Sequence, residues 1–241
     1  MLGSLGMKHT STAHTKGYDV GLFDRMADVE DRSFWLRARN RLIVHLVSEM
    51  TNQGDRLLEG GCGTGYVLGA LVRTCKPTAT RSDAFGDGLE HARRRVPGAE
   101  FIEGDARELS YDRSFDLMAA FDVLEHIDDD IGVLHGLHRA VRPRGSLLVT
   151  VPQHPWLWSA ADRGARHVRR YRRPELVRRV EDAGFSHRNS RGDCDVVADL
   201  VLPAPINGLF ERILALELMA IKRGVDLPMG GSLVLVARRT E

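Results

Sequence analysis

Short apolar runs alternate with amphipathic segments along the central part of the chain. Predicted strands coincide with the apolar runs: Ser146–Val151 is a strong strand, and Ser114–Phe121 is apolar enough to be buried on both faces. Apolar positions at helical spacing in 66–74 predict a helix. Strands alternating with helices predict an α/β domain whose sheet is mostly parallel and covered on both faces. Further strands are predicted at 77–83 and 100–103, and further helices at 88–95, 134–141 and 174–184.

Composition narrows the class of protein without naming its chemistry. The 241 residues, 43% of them hydrophobic, suit one ordinary domain with additions. A balance of 34 basic against 33 acidic residues argues against broad nucleic-acid binding. Residues 1–16 lack the apolar core of a secretory signal and are predicted to be disordered, which leaves one domain at 17–241. Three cysteines without metal-ligand spacing favour a reducing, cytoplasmic compartment: Cys62, Cys75 and Cys194.

The most informative motif is Glu59–Gly65, where an apolar strand ends in an acidic residue and then in alternating glycines. Without a Cβ, a glycine backbone can approach a bound molecule closely. Tyr66 stands where the dinucleotide-binding fingerprint has its third glycine, and this disfavours a nicotinamide-dependent dehydrogenase. The motif resembles motif I of the class I S-adenosylmethionine (SAM)-dependent methyltransferases.

This resemblance implies SAM as the cofactor and a Rossmann-like fold of seven strands, the last of which, Ser232–Ala237, is antiparallel. Glu59 could accept hydrogen bonds from a ligand's ammonium group. Asp83 follows the glycines at the distance where α/β folds bind ribose hydroxyls, with a helix cap as the alternative. For Asp105, which the resemblance places with Ala106 at the adenine, the alternative is a solvated turn. The resemblance assigns further cofactor contacts to Gly61, Cys62, Gly63, Gly65, Ala84, Phe121 and Asp122.

Asp122, Glu125 and His126 follow the fourth predicted strand, spaced to share one side of a helical turn. Three interpretations stay open. The first is support and capping of the loop. The second is a general base, His126 or His154, acting on the acceptor. The third is a Mg²⁺ site, because the trio resembles the acidic-x-x-Glu-His cluster of ubiquinone-pathway O-methyltransferases and small-RNA 2′-O-methyltransferases; His154 or His167 would then supply a further ligand.

Residues 152–173 are predicted to be an insertion on the substrate side. Trp156 and Trp158, flanked by prolines and a histidine, suit a lid or pocket wall rather than a helix core. The arginines of 163–173 are either a solvated face or a binding surface for an anionic substrate. The predicted substrate contacts are Trp156, Trp158, His167, Arg170 and Tyr171.

The likeness extends over about 34–239 to a bacterial subgroup often met near glycan or natural-product genes. It rests on the segments Phe34–Ile43, His154–Ser159, His167–Tyr171, Ala183–Phe185 and Leu227–Arg238. It implies methylation of a small molecule, at oxygen before nitrogen, because the Asn/Asp-Pro-Pro-aromatic signature of base amino-methylating enzymes is absent. The alternatives are a SAM-binding enzyme of cyclisation or decarboxylation and a non-catalytic pathway scaffold.

Two further segments frame the predicted core. Residues 20–50 are expected to be helical and to close over the cofactor pocket. Residues 195–222 contain two apolar stretches, 196–202 and 206–221, neither long enough to span a bilayer. Apolar side chains cover most of the circumference of 206–221, which fits a buried helix, a homodimer face or interfacial membrane docking, in that order.

Overall fold

The computed structural model describes residues 21–83, 86–103, 109–192, 212–216, 218–221, 223 and 231–240. Its strands form one sheet in the order β3-β2-β1-β4-β5-β7-β6. The strands are β1 (Arg56–Gly60), β2 (Thr78–Asp83), β3 (Glu100–Glu103), β4 (Phe115–Phe121), β5 (Val141–Pro152), β6 (Phe185–Gly192) and β7 (Ser232–Arg239). The helices are α1 (Gly21–Glu30), α2 (Phe34–Met50), α3 (Tyr66–Cys75), α4 (Gly86–Arg95), α5 (Asp130–Ala140), α6 (Ala160–Gly164) and α7 (Arg173–Asp182).

The first five strands of the chain are parallel to one another, and β7 pairs antiparallel with both β5 and β6. The predicted antiparallel last strand is therefore confirmed. Because parallel strands end at the same edge of the sheet, the carboxyl ends of β1, β2 and β4 lie side by side there. The predicted fold class, an α/β domain of Rossmann-like type, is confirmed.

Helices cover both faces of the sheet. On one face, Leu134 and Leu137 of α5 and Leu176 of α7 pack with the buried side chains of β4, β5 and β7. On the other face, Leu42 of α2 and Leu71 of α3 pack against the opposite side of the same strands. This two-sided burial explains why 117–121 of β4 are apolar throughout and why 147–152 of β5 are apolar except for Thr150.

Two element boundaries differ from the predictions. Helix α5 begins at Asp130, four residues early, because the Asp129 carboxylate accepts a hydrogen bond from the Gly132 N–H and caps it. The segment 142–145, predicted as a turn, continues β5 instead, and the pairing with β4 shifts register between Phe115 and Leu117.

Helices α1 and α2 lie within the segment 20–50, and its closure over the cofactor pocket stays a prediction. Residues 212–216 and 218–221 are helical as well. Leu218 and Ile221 are buried on the α2 side of the sheet, and Leu214 is buried against Phe34 and Ala38 of α2. Of the three interpretations of 206–221, the structure thus supports the buried helix on one face, and the homodimer stays a prediction. Residues 1–16 and 195–211 lie outside the described residues. Within the described part, no helix is both long and apolar enough to cross a membrane.

Candidate active site

The glycine loop connects the end of β1 to α3 and packs tightly on two neighbours. Gly61 has φ +69°, and a Cβ there would come within 2.4 Å of the Val123 side chain. Gly65 has φ +73°, and its Cβ would come within 2.8 Å of the Ala92 Cα in α4. Both positions therefore require glycine for conformation and for space. The loop is held against the chain after β4 on one side and against α4 on the other.

A polar strap joins the cap helix α1 to this loop. The Thr64 hydroxyl donates to Glu30 at 2.6 Å, and Arg95 of α4 donates to Glu30 at 2.5 Å and to Thr64 at 3.0 Å. Glu30 is buried, so the ion pair is shielded from water. A second link joins His91 of α4 to Asp24 of α1 at 2.9 Å. Sequence reasoning missed the strap, because Glu30 and Arg95 lie 65 positions apart and belong to no motif.

The predicted cofactor residues divide into those the structure places and those outside its described part. Buried Glu59 stands one residue before the end of β1, and Asp83 ends the neighbouring β2. Their strands are in register with Gly60 opposite Ser82, so the glycine loop and Asp83 emerge side by side. Cys62 and Phe121 are buried, at the loop and at the end of β4. Ala84, Asp105 and Ala106 lie outside the described residues, and their roles stay predictions.

Asp122 leaves β4 with φ +54° and turns towards the cap. Its carboxylate lies 2.7 Å from Arg39 of α2 and accepts a hydrogen bond from the Thr150 hydroxyl at 2.9 Å. Arg39, which is buried, also donates to Thr150 at 2.7 Å. Arg39 lies within the segment Phe34–Ile43, where no sequence motif predicts a role for it. Its guanidinium connects the cap to the ends of β4 and β5.

Glu125, His126 and His167 form a cluster in which one ligand atom from each lies within 4.8 Å of the others. Glu125 is fully buried, and neither carboxyl oxygen is hydrogen-bonded to another residue in the described part. Burial, and then the nearby Asp122 carboxylate, raise the pKa of Glu125 well above its usual range. Burial, and then the neighbouring His167 ring, lower the pKa of His126 to about 4. The predicted trio is thus divided: Asp122 pairs with Arg39, and His167 takes its place beside Glu125 and His126.

A buried carboxylate, Asp162, holds His167 and Arg170. The His167 Nδ1 lies 2.9 Å from Asp162, and Arg170 binds the same carboxylate through two nitrogens at 2.6 and 2.9 Å. Burial alone would raise the pKa of Asp162, but the hydrogen bonds from Arg170 and His167 outweigh it and hold the pKa well below its usual range. With Nδ1 engaged, the Nε2 atom of His167 is the one left for a ligand. The Arg170 guanidinium is paired with Asp162. It therefore helps to hold the carboxylate that fixes the His167 ring.

Tyr171 requires a correction. It was predicted to contact substrate, but its side chain is fully buried, and its hydroxyl donates to Asp130 at 2.7 Å. Burial and the Asp130 carboxylate raise the pKa of Tyr171, so the hydroxyl keeps its proton. Arg169 and Arg179 bind the same carboxylate at 2.9 and 2.6 Å. This network connects α5 and α7 beneath the cluster and gives Tyr171 a structural role.

The remaining predicted residues lie on the short turn after β5. His154 has φ +59°, and its Nε2 is buried without a hydrogen-bond partner in the described part. Its ring stands 5.5 Å from that of Trp156, which is 70% exposed. Trp158 is 38% exposed. Both tryptophans are on the surface beside the candidate site, as a lid requires, and their contact with substrate stays a prediction.

Comparison with known proteins decides the family. The sequence profile of the methyltransferase domain family matches residues 34–188, well over half of the chain. This chain belongs to the class I SAM-dependent methyltransferase family. The match runs from the start of α2 into β6 and so includes the glycine loop, the end of β4 and the cluster around Glu125.

Relatives agree with this assignment. A probable S-adenosylmethionine-dependent methyltransferase of Mycobacterium tuberculosis is 28% identical over 66% of this chain and 58% of its own. A fatty-acid O-methyltransferase of Mycolicibacterium smegmatis is 38% identical over 41% of this chain and 37% of its own. The match therefore spans less than two thirds of the length of either relative. Phosphoethanolamine N-methyltransferase 2 of Haemonchus contortus, solved with S-adenosyl-L-methionine, shares the fold at a TM-score of 0.66, with 16% identity over 95% of this chain and 59% of that one.

Proposed function

We propose that this chain is a SAM-dependent methyltransferase that methylates a hydroxyl group of a small molecule. The observation that carries the proposal is the loop after β1, whose glycines have positive φ and whose neighbour at the same sheet edge is Asp83. Glu59 would accept from the ammonium group of SAM, Asp83 from the ribose hydroxyls, and Asp105 and Ala106 would meet the adenine. The strap from Glu30 would hold α1 over this loop.

The methyl group would pass directly from the sulfonium of SAM to the acceptor oxygen, and the proton of the acceptor hydroxyl would pass to a base. Alignment of the two reactants alone can lower the activation barrier by about 7–11 kcal/mol. His154 suits the role of base, since its Nε2 is buried without a partner in the described part. His126 is neutral at pH 7 but, with a pKa of about 4, accepts a proton weakly. His154→Ala is therefore expected to reduce turnover more than His126→Ala, with SAM affinity kept in both.

The acceptor is proposed to be a hydroxyl compound with an apolar portion, such as a lipid or natural-product intermediate. The similarity to the fatty-acid O-methyltransferase of Mycolicibacterium smegmatis supports an apolar acceptor and favours oxygen over nitrogen. Trp156 and Trp158 would supply apolar contact area at the entrance. An anionic group on the acceptor is less strongly favoured than the sequence suggested, because Arg169 and Arg170 are already paired with Asp130 and Asp162.

The first experiment is calorimetric titration with S-adenosylhomocysteine, the demethylated product of SAM. Wild type should bind it, and Asp83→Ala should lose at least about tenfold in affinity, as removal of a hydrogen-bonded carboxylate costs about 1.5–3 kcal/mol. Asp112→Ala, which removes an exposed carboxylate before β4, is the matched control and should bind as wild type. Absence of binding to wild type would overturn the proposal.

The rival functions share the cofactor and differ in what happens to its methyl group. A cyclase, a decarboxylase or a scaffold would bind S-adenosylhomocysteine without transferring a methyl. Incubation with methyl-labelled SAM and a mixed set of hydroxylated, carboxylated and amine acceptors separates them. Label in an acceptor supports methyl transfer, and the bond that carries it distinguishes oxygen from nitrogen.

Metal-assisted transfer is the second candidate, favoured by the cluster of Glu125, His126 and His167. The fully buried carboxylate lacks a partner residue in the described part, and Asp162 fixes the ring of His167, as carboxylates do for metal-bound histidines. One carboxylate and two imidazoles suit Mn²⁺, Co²⁺ or Zn²⁺ better than the Mg²⁺ that the sequence indicated. A bound cation would polarise the acceptor oxygen and lower the pKa of its hydroxyl.

Metal binding can be measured without activity. Chelator-treated protein is titrated with Co²⁺ and followed by its visible absorption and by calorimetry. Wild type should bind one ion, and Glu125→Gln and His167→Phe should each lose binding. His135→Phe, which replaces an exposed histidine of α5, should bind as wild type. Equal binding by all four proteins would exclude the cluster.

A further inference from the structure

Four of the eight exposed large apolar side chains of the described residues lie beside the candidate acceptor site. Trp156 is 70% exposed, Trp158 38%, Val168 43% and Ile131 40%. The His154 N–H donates to the Tyr171 carbonyl, which joins the tryptophan segment to the arginine segment. Arg169, next to Val168, donates to the Asp128 carbonyl and pairs with Asp130, which precedes Ile131.

The same region carries cationic side chains without acidic partners. Residues 152–173 contain six arginines and a single acidic residue, Asp162, which is buried and occupied by Arg170 and His167. Arg163, Arg166 and Arg172 are exposed, and no carboxylate pairs with them in the described part of the chain. Since the whole chain has a formal net charge of only +1, this positive charge is local.

We propose that this surface docks the protein on an anionic lipid bilayer. The tryptophan–arginine surface comprises Trp156, Trp158, Val168, Arg163, Arg166 and Arg172. Its indole rings would enter the interfacial layer, where tryptophan is enriched, while its guanidinium groups contact lipid phosphates. Membrane docking itself does not depend on the proposed function. Its consequence, that the acceptor is taken from the bilayer, rests on that proposed function.

A bilayer fits this surface better than an acidic carrier protein does. Trp156 projects from a single 3₁₀ turn, Pro155–Leu157, and at 70% exposure it lies outside any groove. A projecting aromatic residue amid unpaired arginines has the composition of an interfacial lipid-binding segment, whereas protein hot spots lie in enclosed, well-packed pockets. The Trp156 ring is 5.5 Å from His154, so a docked bilayer would face the proposed entrance for the acceptor.

The test is co-sedimentation of the full chain with vesicles, in the absence of SAM. Wild type should bind mixed phosphatidylglycerol–phosphatidylcholine vesicles and not phosphatidylcholine alone, and binding should weaken with salt. The Arg163→Glu/Arg166→Glu double variant should lose at least about tenfold in binding. Trp156→Ala should also reduce binding; like both arginines it changes an exposed side chain, so folding should be preserved.

Two controls keep the test specific. Arg94→Glu/Arg178→Glu makes the same charge change at exposed positions of α4 and α7, and Leu216→Ser changes an exposed apolar residue elsewhere. Both controls should bind vesicles as wild type. Absent binding, equal binding to phosphatidylcholine, or equal losses in the controls would overturn the proposal, as would capture of an acidic acyl carrier protein without vesicle binding. Since product binding is measured separately, failure here leaves the methyltransferase proposal standing.

Discussion

The two halves of the candidate site are stabilised in different ways. On the cofactor side, Glu30, Thr64 and Arg95 satisfy one another through three short hydrogen bonds, and Gly65 packs directly on α4. On the acceptor side, Glu125 is fully buried with neither oxygen bonded to another residue in the described part, and the Nδ1 of His126 and the Nε2 of His154 are likewise unpartnered there.

This difference corresponds to what each half must do. A cofactor-binding loop needs a fixed backbone conformation, and hydrogen bonds between its own neighbours fix that conformation. An acceptor site must keep donors and acceptors available for a group that arrives later. Buried polar atoms without partners cost stability, so a fully buried carboxylate such as that of Glu125, bonded to no other residue in the described part, marks a candidate binding site. Three substitutions test this contrast, the first on the cofactor side and the others on and beneath the acceptor side.

Gly65→Ala should have the largest effect. The new Cβ would lie 2.8 Å from the Ala92 backbone, which cannot rotate away, and a non-glycine residue at φ +73° costs a further 1–2 kcal/mol or so. We expect a loss of about 3 kcal/mol or more of unfolding free energy, and loss of S-adenosylhomocysteine binding. Urea unfolding and calorimetry measure the two effects.

Gly98→Ala is the matched control for this substitution. Gly98 has φ +99° but nothing within 4 Å of its Cβ position, so alanine there adds backbone strain without overlap. A loss of about 1 kcal/mol with unchanged product binding is expected. Equal losses at the two positions would mean that packing of the loop on α4 contributes nothing to stability.

His126→Phe should change the acid stability of the metal-free protein. The pKa of His126 is about 4 when folded and about 6.5 when unfolded. Between these values the unfolded chain binds a proton that the folded chain does not, so stability falls as pH falls. The wild type should therefore lose about 2–3 kcal/mol between pH 7 and pH 4 that the variant does not lose.

Urea unfolding of both proteins at several pH values, with a chelator present, checks this prediction. Parallel curves for wild type and variant would show that His126 is hydrated rather than buried. In that case the acceptor side, like the cofactor side, would hold no unsatisfied buried histidine at this position. The contrast between the two halves would then be lost.

The sequence predicted local features well and long-range pairings poorly. The glycine loop, the parallel strands and the position of Asp83 follow from short motifs and the βαβ rhythm, because the chain itself brings β1 and β2 together. Arg39 meets Asp122 across 83 positions, and only packing of α2 on the sheet decides that contact. The sequence predicts His154 or His167 as a further ligand beside Glu125 and His126, but only the fold distinguishes them: His167 lies there because Asp162, five residues away, fixes its ring.

Tyr171 shows why residue type alone misleads. A tyrosine beside arginines and tryptophans suggested a pocket wall, yet its neighbours Arg169 and Arg170 bind buried carboxylates. A run of arginines in sequence therefore holds two populations, those paired inside and those exposed outside. The two kinds of arginine differ in burial, and burial cannot be read from the sequence alone.

Tyr171→Phe gives the smallest of the three effects and tests the boundary between site and support. The substitution keeps the ring and removes a hydroxyl that donates to Asp130 at 2.7 Å, so a loss of about 1–2 kcal/mol of unfolding free energy is expected. Asp130 keeps Arg169 and Arg179, which limits the damage. Tyr111→Phe, which removes a hydroxyl at a half-buried position, should cost less. Calorimetric affinity for S-adenosylhomocysteine should be unchanged by either substitution. If the Tyr171→Phe protein is as stable as wild type but has an altered KM for the acceptor, Tyr171 contacts the acceptor. It would then belong to the acceptor side of the site and not to the structural network beneath it.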